Sequence, residues 1–186
     1  VLVTVVIAIG VYWLTTASGR LDRRPDITLT TIDGRGIDLA TMEGKPLLVN
    51  FWATTCAICM QEMPELIALY NDLSKQGLEV IAIAMPYDPP NLVLEVTKQF
   101  KLPYPVALDI SGEAMRAFAD VKATPATFLI APDGRVIEQS VGRTDFGLLR
   151  REILELLADT GFQVHGSGFG VRGSGFGVLG SGFCNL

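Results

Sequence analysis

"KPLLVNFWATTCAICMQEMPEL", residues 45–66, is the stretch from which the rest of the chain is read. Its first half, Lys45 to Ala53, is a near-continuous apolar run, the composition of a strand buried on both faces. Beyond it the period changes. From about Cys56 to Gln76, apolar Ile58, Met63, Leu66, Ile67 and Tyr70 recur at helical spacing, and Gly77 is placed to stop the helix. Cys56 therefore stands where strand gives way to helix, with Cys59 one turn inside on the same face. Free N–H groups and the helix dipole at that position favour a thiolate. The spacing suits a small reversible disulfide in which the outer thiolate attacks and the inner thiol resolves. Two other readings stay open at this point. Half of a zinc site would need His165 and Cys184 as its remaining ligands, and two inert buried thiols would need no partner at all.

Working outward, residues 27–40 alternate apolar and polar about Asp33-Gly34, which predicts a hairpin. Residues 78–85 predict a second buried strand, and the segment after Pro89 a helix ending near Phe100. A short strand at 104–109 and a short helix at 112–120 follow. "ATFLIAPDGRVIEQSVG", residues 126–142, reads as strand, Asp133-Gly134 turn and strand. The amphipathic segment after Asp145 reads as a closing helix capped by that aspartate. This order predicts an α/β fold: a mixed central sheet with helices on both faces and an added N-terminal β-hairpin.

The 186 residues suffice for one domain with extra segments at the ends. Val1 to Leu14 carries no charge, and Tyr12 and Trp13 near its end suit a membrane interface. Residues 1–16 are read as an anchor or signal segment, 17–25 as a polar tether and 26–160 as the domain. Residues 161–186 hold the consecutive heptads "GSGFGVR", "GSGFGVL" and "GSGFCNL", too rich in glycine to hold a helix or strand, and are read as a disordered tail. Cys184 belongs to that tail and receives no catalytic role. A net charge of -5 leaves no electrostatic footprint for nucleic acid. With one histidine, His165, a histidine triad or a multi-histidine metal site is hard to build, and neither a cofactor nor a metal is expected.

Residues 27–157 resemble the thioredoxin-fold proteins of the TlpA/ResA/CcmG type, through "LLVNFWATTCAICMQEMPEL", "VKATPATFLI" and "APDGRVIEQSVG". The resemblance implies an exported, usually membrane-anchored thiol–disulfide oxidoreductase. It makes Cys56 the nucleophile, Cys59 the resolving thiol and Pro125 the cis-proline that turns the backbone of Thr124 toward a substrate peptide. Glu62 matches the acidic residue that tunes the thiols and moves a proton, and Trp52 packs beside the disulfide. Asn50 stands where ordinary thioredoxins keep a buried aspartate, which gives weight to Glu62 as the acid. Pro64 matches the proline that kinks the first helix. Thr55 and Ile58 depart from the common W-C-x-P-C pattern and leave the redox poise open.

The resemblance further implies protein disulfide substrates, a membrane thiol–disulfide electron carrier that re-reduces the pair, and a periplasmic or extracytoplasmic location held by the N-terminal segment. The substrate could be an apocytochrome or a copper-site assembly protein. A peroxiredoxin-like peroxidase shares the fold, but its P-x-x-x-T-x-x-C pattern meets Val49 and Ala53 here. A copper-delivery module typically uses C-x-x-x-C with a distant histidine; here only Met60 and Met63 add soft ligands beside the cysteines.

Overall fold

The apolar run at the head of the deciding stretch forms the central strand of a five-stranded sheet. The computed structural model describes residues 20–159, so the Val1–Leu14 run, the first three residues of the tether (17–19) and the heptads lie outside the described residues. In chain order the elements are β1 (Thr28–Thr30), β2 (Gly36–Asp38), β3 (Leu47–Trp52), α1 (Ala57–Leu73), β4 (Glu79–Ala84), α2 (Pro90–Phe100), β5 (Val106–Leu108), α3 (Glu113–Ala117), β6 (Ala126–Ile130), β7 (Val136–Val141) and α4 (Phe146–Asp159). Short 3-10 turns follow β2 and α1. The sheet runs β5-β4-β3-β6-β7, parallel from β5 to β3 and antiparallel from β3 to β7.

Alternation along the strands divides the core in two. Leu48, Trp52, Val80, Ala82 and Leu129 meet Met63, Leu66, Leu69 and Leu73 of α1 and Leu149, Ile153 and Leu157 of α4. On the opposite face Leu47, Val49, Phe51, Ile81, Ile83 and Phe128 meet Ala114 of the much smaller α3 and Phe118 at its end, together with Leu29 and Leu39 of the hairpin region. Phe51, Phe118 and Phe128 stack edge to face there, with centroids 5.0–5.9 Å apart. The second face thus has one short helix and relies on the hairpin for the rest of its cover. Expected over 112–120, α3 stops at Ala117, and Ala119 and Asp120 adopt left-handed backbone conformations.

Both outer strands are engaged by one N-terminal segment. Thr31 bridges Ala107, and the Ile32 N–H donates to Val106 O, along the free side of β5. Residues 21–24, assigned to the polar tether by composition, instead lie along β7. The Val136 N–H donates to Asp22 O, the Arg24 N–H to Gly134 O and the Leu21 N–H to Gln139 Oε1. The Arg24 side chain, 7% exposed, reaches the carbonyls of Ala40 and Met42. The unpaired backbone groups of an edge strand outweigh the polar composition of the segment.

Candidate active site

The site stands at the end of the sheet where β3 and β4 finish and β6 begins. After Trp52 the chain turns sharply, with the Cys56 N–H donating to Ala53 O at 3.0 Å. The loop after β4 is stitched to this turn, since the Met85 N–H donates to Trp52 O. Asp88, 6% exposed, accepts from the Thr54 N–H on Oδ2 and from the Thr54 hydroxyl on Oδ1, both at 2.6 Å.

Cys56 is the N-cap of α1 in extended conformation, and its Sγ accepts the Cys59 N–H at 3.1 Å. A sulfur here occupies the position of the usual oxygen cap, so an orphan donor of the first turn points at it. Cys56 and Cys59 are joined as a disulfide with Cα atoms 5.2 Å apart. Cys56 is half-buried, while Cys59 is 4% exposed.

Helical spacing carries Cys59 into the buried stripe of α1, and Glu62 falls on the same stripe three residues on. Glu62 is 6% exposed. Its carboxylate is met by the loop between β7 and α4: the Thr144 N–H donates to Oε1 at 2.7 Å and the Thr144 hydroxyl to Oε2 at 3.1 Å. Next to them the Asn50 amide donates to the Thr127 hydroxyl at 3.1 Å. Trp52, Cys59, Glu62, Pro125, Asn50 and Thr127 line one small cavity, about 10 Å³ of space for a single water-sized sphere. Trp52 is 1% exposed, and its Nε1–H has no hydrogen-bond partner among the described residues.

The Thr124–Pro125 peptide bond is cis. Pro125 is buried, Thr124 is half-buried, and the Gly142 N–H donates to Pro125 O at 2.8 Å. The structure therefore gathers Trp52, Cys59, Glu62 and Pro125 about one cavity, with Cys56 bonded to Cys59 and Thr124 adjoining Pro125.

Sequence reasoning missed Asp88, Thr144 and Thr127. Asp88 precedes Pro89-Pro90 in a loop, and nothing local in the sequence ties it to Thr54, 34 residues earlier. Thr144 lies in a turn, and only the fold brings it 82 residues back to Glu62. Among the described residues no three His, Cys, Asp or Glu side chains come together as a metal site. His165 and Cys184, the other ligands a zinc site would need, lie outside the described residues.

What such an arrangement can do is thiol–disulfide exchange: a half-exposed sulfur on a helix N-terminus, a buried partner sulfur within bonding reach, and a buried acid one turn away. Residues 21–139 match the model of the AhpC/TSA family. The thiol–disulfide oxidoreductase ResA of Bacillus thuringiensis subsp. konkukian is 36% identical over 118 residues, covering 63% of this chain and 67% of the relative. ResA of Bacillus subtilis is 32% identical over the same length, covering 63% of this chain and 65% of the relative. Among solved structures, a thioredoxin-family thiol:disulfide interchange protein from Chlorobium tepidum superposes with a TM-score of 0.67 at 26% identity, covering 74% of this chain and 97% of that one. The solution structure of a thioredoxin candidate from Neisseria meningitidis gives a TM-score of 0.70 at 31% identity, covering 78% and 97%. The chain belongs to the AhpC/TSA family of thioredoxin-fold proteins and, within it, to the thiol–disulfide oxidoreductases similar to ResA.

Proposed function

We propose that this oxidoreductase is exported and works as a reductase of protein disulfides, with Cys56 as the attacking thiol. The observation that carries the assignment is the asymmetry of the pair: Cys56 caps α1 and is half-buried, while Cys59 is 4% exposed beneath it. In the reduced enzyme the Cys56 thiolate attacks one sulfur of a substrate disulfide. A Cys56–substrate bond forms, and the first substrate thiolate leaves and takes up a proton. Cys59 then loses its proton to Glu62 and attacks the Cys56 Sγ. The Cys56–Cys59 bond forms, and the second substrate thiolate leaves. Two electrons pass to the substrate, which ends as a dithiol, and the enzyme ends as its disulfide. Trp52 and Pro125 line the cavity beside Cys59, and Thr124 adjoins Pro125; this supports a substrate-binding role for the three, with half-buried Thr124 making the contact and buried Trp52 and Pro125 backing it.

A membrane thiol–disulfide carrier returns the two electrons, and the apolar N-terminal run holds the domain at an extracytoplasmic membrane face. The residues proposed as anchor lie outside the described residues, and among those described no helix is long and apolar enough to cross a membrane. The reading also places a single domain between the anchor and the glycine-rich tail, starting near residue 21 because residues 21–24 pair with β7.

The test is a Cys59→Ser variant presented with a disulfide-bonded protein substrate. A stable mixed disulfide through Cys56 is expected, and Cys56→Ser should form none. A mixed disulfide through Cys59 in the Cys56→Ser variant, at the wild-type rate, would overturn the order of attack. The equilibrium potential of the pair fixes the direction: a value near or below about -250 mV fits a reductase, whereas one near about -120 mV makes the protein an oxidant.

A further inference from the structure

We infer that Asp88 is a positioning residue for the attacking thiol: it clamps the turn that delivers Cys56 to the N-terminus of α1. The inference rests on the assignment of Cys56 as the attacking sulfur.

A carboxylate at 6% exposure loses most of its hydration and needs strong partners. Asp88 directs both oxygens at one residue, Thr54, taking its N–H and its hydroxyl at 2.6 Å each. It stands two residues before α2, one position ahead of the N-cap Pro89, and makes no capping bond to that helix, whose N-cap has no side-chain hydrogen bond. No ion pair to Asp88 forms among the described residues. The Asp88 N–H donates to Met85 O and the Met85 N–H to Trp52 O, so the clamp sits on a loop already sewn to the end of β3. Thr54 is two residues from Cys56, inside the turn closed by the Cys56 N–H on Ala53 O.

In the oxidised protein the Cys56–Cys59 bond also fixes that turn. Reduction removes this restraint at the point where Cys56 must stay against the first turn of α1. There the Cys59 N–H points at its sulfur and the helix dipole favours the thiolate. The bidentate bond to Thr54 does not depend on the redox state of the sulfurs. It holds the reduced Cys56 where its negative charge is stabilised.

Charge and position make opposite predictions, which makes the role testable. As a nearby negative charge, Asp88 would disfavour the thiolate, and its loss would move the titration of Cys56 down. As a clamp it favours the thiolate, and its loss moves the titration up. The experiment is the pH profile of iodoacetamide alkylation of the fully reduced full-length chain, with the alkylated cysteine identified by mass spectrometry. Asp88→Ala is expected to raise the midpoint by about one pH unit, a tenfold loss of thiolate below the midpoint. Asp88→Asn keeps the geometry, with its oxygen accepting the Thr54 N–H and its amide donating to the Thr54 hydroxyl, and should stay near the wild-type midpoint. Thr54→Val keeps the N–H bond and loses the hydroxyl, so it should move the midpoint part of the way up. It also carries the test if Asp88→Ala does not fold.

Midpoints unchanged in Asp88→Ala and Thr54→Val while their melting temperatures fall would reduce Asp88 to a structural residue and overturn the inference. So would a downward shift in Asp88→Ala, or equal shifts in Asp88→Ala and Asp88→Asn. First alkylation at Cys59 in the wild type would overturn the assignment of the attacking thiol itself. That failure appears without any Asp88 variant and is therefore distinguishable.

Discussion

Replacing Glu62 by glutamine should separate the chemistry of the site from its architecture. The carboxylate accepts the Thr144 N–H at 2.7 Å and the Thr144 hydroxyl at 3.1 Å. Glutamine reproduces both links, since its oxygen accepts the N–H and its amide donates to the hydroxyl. Charge-assisted bonds of this kind contribute about 1.5–3 kcal/mol each against roughly 0.5–1.5 for neutral ones, so the variant should lose about 1–3 kcal/mol of stability and stay folded. Proton transfer is affected differently. Cys59 is 4% exposed, so bulk water has poor access to its proton, and Glu62 lines the same cavity one helical turn away. An amide cannot take that proton. Loss of a positioned base costs about 10²–10⁴ in rate, and the low end corresponds to about 2.7 kcal/mol of barrier. The affected step is the attack of Cys59 on the Cys56–substrate bond. The assay is acid-quenched single turnover of reduced enzyme with a disulfide-bonded protein, with the mixed disulfide counted by mass spectrometry. In Glu62→Gln the mixed disulfide should accumulate at pH 7 and decay at least 10²-fold more slowly than in the wild type, with its formation rate little changed. A wild-type lifetime for the mixed disulfide in this variant would refute the role of Glu62 as proton acceptor.

Away from the site, Glu152 of α4 lies against Glu138 of β7, and burial, then the bond and repulsion from Glu138, push its carboxyl up to about 7. The stabilisation tied to this raised value is fully present below about pH 4.5 and is lost as pH rises through about 7. Glu152→Gln should match the wild type in thermal melting near pH 4.5 and exceed it at pH 8, by under about 1 kcal/mol because the side chain is partly solvated. An equal difference at both pH values would refute the pairing. Phe51 is fully buried between Phe118 and Phe128. Phe51→Ala should cost about 3–5 kcal/mol in denaturant unfolding, and a loss below about 1 kcal/mol would mean that the second face of the sheet is not closed by this cluster.

The sequence carried most of the fold because its signals were local. Gly77 ends the turn after α1 at a φ of 115°, and Asp145 accepts from the N–H groups of Gly147 and Leu148 where it was expected to cap α4. Glu62 is legible only through the family resemblance, as the acidic residue three positions after Cys59, and it is the structure that puts it on the buried stripe with Cys59, Leu66 and Leu69. Thr144 and Asp88 were not visible, because their partners lie 82 and 34 residues away and neither side-chain type is unusual in a turn. The path of residues 21–24 along β7 is hidden for the same reason. Composition marks "LDRR" as solvent-facing, and only the position of β7 shows where its backbone groups go.

That path, taken with the hairpin, has a consequence for how the molecule comes into being. Residues 21–32 form a belt that touches β7 at one end and β5 at the other. The belt is made early in synthesis, yet its docking surfaces appear only when β5 and β7 have been added to the sheet. Its contacts span more than a hundred residues at the β7 end, so they close late and against a large loop entropy. Until then the nascent sheet exposes a strand edge on each side, together with part of the Phe51 face, surfaces that recruit strands from neighbouring chains. Trimming the chain at residue 26, where composition alone would cut it, would make the exposure at β7 permanent. The belt is thus a lock turned last, and a chain without its first rung would be expected to aggregate before it failed to catalyse.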